Sequence, residues 1–190
     1  MKKLLFFIAV LGILIPVLSI AQVGKTFPVL SGTTLDNKNI TLPASTKGKY
    51  TVLGIGYSQK SKQELETWLQ PAFSTFIHEP EYEAQVYFVI MIGGIKQAAG
   101  DKIEEKLKKE LDPELHKYVL VYQGALGKYK DELNMTEKEI PYFYVLDPQG
   151  KIIYTTSGIY TKAKMDGATK LLPEAKGSDK DDDDDDDDKD

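Results

Sequence analysis

A seven-residue apolar run, Val86-Tyr87-Phe88-Val89-Ile90-Met91-Ile92, constrains this chain more than any other segment. It is too short for a buried helix and too apolar for a strand with one wet face. It therefore belongs at the centre of a sheet covered on both sides, as in α/β folds. Tyr50-Thr51-Val52-Leu53-Gly54-Ile55, Tyr118-Val119-Leu120-Val121-Tyr122 and Tyr142-Phe143-Tyr144-Val145-Leu146 are further β-prone runs.

Helical spacing fills the intervals. Leu65, Trp68, Leu69, Ala72, Phe73 and Phe76 share one face of a helix over 61–77, with Pro71 set to kink it or begin a second one. Residues 101–111 carry a thin Ile103, Leu107, Leu111 stripe; 125–133 and 160–172 give two more helices. Turn-rich Leu35-Asp36-Asn37-Lys38-Asn39 joins an N-terminal β-hairpin, and Asp147-Pro148-Gln149-Gly150 joins a late one. Early strands separated by helices imply parallel crossovers, while the late hairpin implies antiparallel pairing. The expected fold is α/β: a mixed β-sheet flanked by helices on both faces, with an N-terminal β-hairpin.

Three regions follow. Residues 1–21 read as an export signal, with Lys2-Lys3 first, an apolar stretch from Leu4 to Ile20, and Ser19-Ile20-Ala21 as the cleavage site. An uncleaved N-terminal anchor is the rival reading. The folded domain spans 22–175. Residues 176–190 form a tail with eight consecutive Asp, which has nothing apolar to bury and is expected to be disordered. The expected location is the periplasm or cell envelope, or the outside of the cell.

The absent residue types exclude whole classes of chemistry. Among 190 residues there is no Cys, hence no disulfide, thiol redox step or Cys-ligated metal. All 24 basic residues are Lys, so the bidentate Arg grip on phosphate is missing and nucleotide recognition is not expected. The net charge of −5 is the tail's −7 set against +2 from Lys2-Lys3, leaving a neutral body without attraction for nucleic acid. No cofactor is expected. The tail offers only weak, diffuse cation binding, because it lacks the Gly and Glu of an EF-hand loop.

Chemistry in such a fold belongs where a strand passes into a helix start, because free N–H groups collect there. The segment is Gly56-Tyr57-Ser58-Gln59-Lys60-Ser61-Lys62-Gln63-Glu64-Leu65. It is similar to the active-site turn of thioredoxin-like reductases, with Ser58 and Ser61 at the two Cys positions, Lys62 at the basic one, and Glu64-Leu65 following. Lys47-Gly48-Lys49-Tyr50 and Asp147-Pro148-Gln149-Gly150-Lys151-Ile152 match that superfamily too. Ile140-Pro141 stands where it usually carries a cis proline.

A narrower resemblance covers about 57–172. It is to the mitochondrial thioredoxin-like family that assists assembly of the ATP synthase membrane sector. Trp68, Pro71 and Phe73 match, as do Ile103-Glu104-Glu105, Leu115-His116-Lys117-Tyr118, Leu126-Gly127, Tyr142 through Asp147, Lys151-Ile152 and Ser157-Gly158. The resemblance implies a chaperone or assembly factor without thiol catalysis, whose partner is a protein or peptide client such as a membrane-protein subunit. The export signal and the poly-Asp tail depart from that family.

The expected recognition surface joins Tyr57, Ser58, Gln59 and Ser61 to Ile140 and Pro141. Ser61-Lys62-Gln63-Glu64 reads as a capping box, with Ser61 as the cap. A hydrolase built on Ser58 is the first alternative, and it requires a general base within hydrogen-bond reach. His116 reads as a loop histidine and His78 as a cation at a helix end. A surface protein acting through its acidic tail is the second alternative.

Overall fold

The computed structural model describes residues 22–78, 80–94 and 97–175. The export-signal reading and the tail lie outside the described residues. Seven strands form one sheet: β1 Leu30–Thr34, β2 Asn39–Leu42, β3 Thr51–Gly56, β4 Gln85–Gly93, β5 Val119–Gly124, β6 Tyr142–Leu146 and β7 Ile152–Ser157. Their order is β2-β1-β5-β4-β3-β6-β7. β3, β4 and β5 are parallel, and the remaining pairings are antiparallel. The helices are α1 Gln59–Glu66, α2 Leu69–Phe73, α3 Gln97–Glu110, α4 Gly127–Glu132 and α5 Lys162–Thr169.

β3 and β4 lie at the centre. All six residues of β3 are buried, so the strand has no wet face. Side chains alternate across the sheet and divide the core in two. One side holds Val52, Phe88, Ile90, Val145 and Phe143 against Leu65, Trp68, Ala72 and Met165 from α1, α2, α5 and the joints between them. The other holds Leu53, Ile55, Val89, Met91, Tyr142 and Tyr144 against Phe27, Tyr129, Leu133 and Met135.

The 61–77 helix is two helices followed by a π turn at Ser74–His78. The break falls at Thr67-Trp68, ahead of Pro71. There Trp68 turns inward, stacks on Phe143 at 3.8 Å between ring centroids, and donates its indole N–H to the Gly158 carbonyl at 3.0 Å. Trp68 is a core residue, whereas Phe73 is only half-buried and stacks on His78. Gly54 lets α1 approach the sheet: a Cβ there would meet the Phe143 ring at 2.6 Å and Leu65 Cδ1 at 2.8 Å.

Trp68→Ala removes a buried ring, its stacking and a hydrogen bond. It should destabilise the fold by about 3–5 kcal/mol, measured as the change in chemical-denaturation midpoint multiplied by the slope.

Candidate functional site

β3 ends at Gly56, and the chain turns through Tyr57 and Ser58 into α1. The N-cap is Ser58, three residues earlier than the sequence pattern suggests; Ser61 is the third helical residue. Ser58 Oγ accepts from the Ser61 N–H at 3.0 Å. Ser61 Oγ accepts from the Tyr57 and Ser58 N–H groups at 2.9 and 2.8 Å. The box is closed by a second serine in place of a Glu, because a short buried hydroxyl at position 61 reaches two N–H groups at once. The two hydroxyl oxygens lie 3.2 Å apart.

Among the described residues no base hydrogen-bonds to Ser58 Oγ, which is engaged by the Ser61 backbone N–H and hydroxyl. His116 lies on a separate turn, Pro113–Tyr118, with Nε2 3.3 Å from the Leu111 carbonyl. His78 is exposed at the end of the π turn.

The pairing of Ile55 with Tyr142 carries Ile140-Pro141 to the same edge of the sheet as Tyr57-Ser58. The Ile140–Pro141 bond is trans; the cis bond among the described residues is Leu42–Pro43. Pro141 is fixed instead through its carbonyl, which accepts from the Gly158 N–H at 2.8 Å.

The six expected surface residues fall into two groups. Gln59 is exposed, and Ser58 and Ile140 are partly exposed. Tyr57, Ser61 and Pro141 are buried, Ser61 completely. The last three shape the edge from beneath and do not present themselves to a partner. Burial first, then the neighbouring Tyr142, Glu137 and Glu139, push the Tyr57 hydroxyl up to about 12, so it remains a donor near neutrality. The Lys62 ammonium is held below its ordinary value by burial and by Lys106.

One contributor escapes the sequence reading. The loop after β7 brings Ile159, 52% exposed, to this edge. Gly158 there bridges Trp68 and Pro141, Lys164 Nζ donates to the Ile159 carbonyl at 2.7 Å, and the Tyr160 N–H donates to Thr67 Oγ1 at 3.0 Å. Ser157-Gly158 is a visible motif, but a lone isoleucine in a turn carries no periodic signal.

The sheet order, the strand–helix turn and the paired hydroxyls define a thioredoxin-like protein without thiols. Two solved structures agree on the fold. The thioredoxin domain of a thiol-disulfide oxidoreductase from Bacteroides vulgatus matches with a TM-score of 0.51 at 19% identity, covering 79% of this chain and 97% of that one. A protein from Chlorobium tepidum, assigned as the thiol:disulfide interchange protein DsbE, matches with a TM-score of 0.50 at 13% identity, covering 75% and 89%. No curated protein matches the chain. The family model described as ATP10 protein matches residues 20–174, and the chain belongs to that family.

The two hydroxyl oxygens lie 3.2 Å apart, so sulfurs at the same positions would be direct neighbours and need close only to the S–S length of about 2.05 Å. A Ser58→Cys, Ser61→Cys double variant should close an intramolecular disulfide under mild oxidation. Thiol titration should find no free thiol before reduction and two per chain after it. Two free thiols in the oxidised sample would mean that the turn has lost thioredoxin geometry.

Proposed function

We propose that this protein is a non-catalytic assembly factor that holds a segment of a client protein against the edge formed by Ser58, Gln59, Ile140 and Ile159. The client of this reading is a subunit of the ATP synthase membrane sector, met in the cell envelope after export. The observation that carries it is the family match over 20–174 on a scaffold whose reactive turn holds two mutually capped serines. A thiol enzyme would release product by breaking a covalent bond. Here, binding and release rest on contact alone. The accessible groups suit that work: Gln59 offers hydrogen bonding, and Ile140 and Ile159 offer apolar contact, to an extended chain.

The test replaces the chromosomal copy in the native host and follows assembled membrane-sector subunits on native gels. A Gln59→Lys, Ile140→Asp variant should lower assembled complex by about tenfold, the scale of one or two central contacts. Ser58→Ala should leave most of it, and deletion of 177–190 should cause a modest loss. Normal assembly in the Gln59/Ile140 variant would contradict the recognition edge. A Ser58→Ala loss as deep as that variant's, with denaturation showing only the small cost of a lost helix cap, would mean that the hydroxyl does more than cap and line the edge.

A further inference from the structure

Three tyrosine hydroxyls converge from the sheet on the loop between α4 and β6. Tyr144 donates to the Leu133 carbonyl at 2.9 Å. The Tyr57 hydroxyl lies 2.8 Å from the Met135 carbonyl oxygen and 3.1 Å from that of Glu137. Tyr142 accepts from the Glu137 N–H at 2.6 Å and lies 3.1 Å from its carbonyl oxygen. The Tyr57 and Tyr142 rings stack at 6.4 Å, 23° from parallel. Asn134 adopts φ 51° to turn the chain, and Met135, fully buried, plugs the loop onto the core.

Tyr57 joins two structures that its sequence neighbours do not connect. Its N–H enters the serine cluster through Ser61 Oγ, and its hydroxyl ends on the 135–137 backbone. A phenylalanine would fill the same space, so the hydroxyl is needed for the loop's polar groups and not for packing. Three residues beyond Glu137 stands Ile140, the apolar contact of the recognition edge.

We propose that Tyr57 and Tyr142 are positioning residues. Their hydroxyls lock the 135–137 backbone to the end of β3, through Tyr57, and to the start of β6, through Tyr142, and so fix the spacing between Ile140 and the Ser58-Gln59 turn. The functional consequence rests on the assembly-factor reading above, whereas the loop geometry does not. With the lock in place the client meets a preformed edge. Without it, the loop must be ordered at binding, and affinity falls accordingly.

The experiment compares Tyr57→Phe, Tyr142→Phe and, as control, Tyr144→Phe, whose hydroxyl donates to Leu133 and not to the 135–137 backbone. Two readouts are taken on the full protein. One is amide hydrogen exchange over 136–140. The other is binding to overlapping 15-residue peptides from the host's ATP synthase membrane-sector subunits. Tyr57→Phe and Tyr142→Phe should each speed exchange in the loop about tenfold with β3 and β4 amides unchanged, and weaken peptide binding about five- to tenfold. Tyr144→Phe should do neither. Unchanged loop exchange, or equal effects from Tyr144→Phe, would overturn the proposal; so would a loosened loop with undiminished binding. If the wild-type protein binds none of the peptides, the client reading fails, and the exchange data alone decide the lock.

Discussion

A strand buried on both faces and hydrogen-bonded on both edges can present chemistry only where it ends. β3 is such a strand, lying between β4 and β6 with all six residues buried. Its end must also satisfy the N–H groups of a helix start, because α1 begins three residues after Gly56. The site follows from that demand. Ser58 and Ser61 meet three N–H groups between them, with Tyr57 turned inward beside them. The Trp68–Phe143 stack then seats the helices on the sheet, and Gly158 ties Trp68 to Pro141 across the edge.

Serine at these two positions changes what the turn can do. A thiol at a helix N-terminus is activated because its anion is favoured there. A serine hydroxyl does not ionise under the same influence, and without a neighbouring base it remains a hydrogen-bonding group. The same geometry that would activate sulfur therefore fixes oxygen as a cap. The scaffold keeps its aromatic seat and its proline segment, and the turn carries no thiol. This combination fits membership of an assembly-factor family better than a family of oxidoreductases, despite the likeness of fold.

Much of the architecture was legible because it depends on local patterns. The Val86–Ile92 run marks β4, Asp147-Pro148-Gln149-Gly150 marks the turn between β6 and β7, and the spacing of Leu65, Trp68, Ala72 and Phe76 marks the buried helical face. The site was legible only in outline. The familiar capping pattern ends in Glu, so Ser61-x-x-Glu64 looked like the box, whereas Ser58-x-x-Ser61 forms it. Tyr57 looked like a surface residue since its partners, Met135 and Glu137, are about eighty positions away along the chain. Likeness of sequence put Ile140-Pro141 where a cis proline is usual, and the bond is trans. The Tyr57 bonds are tertiary contacts that no local spacing encodes, whereas the serine box is local and hidden only by its unusual closing residue.

The central claim is that the end of β3 and the loop before β6 form a surface that grips a client without chemistry. Site-specific photo-cross-linking in the native host tests it most directly. A photoreactive side chain would be placed at Gln59, at Ile140, or at Gln149 in the turn at the opposite end of β6. A grip of this kind predicts adducts with a membrane-sector subunit from positions 59 and 140 and none from 149. Adducts from 149 alone, or equal labelling from all three, would contradict it.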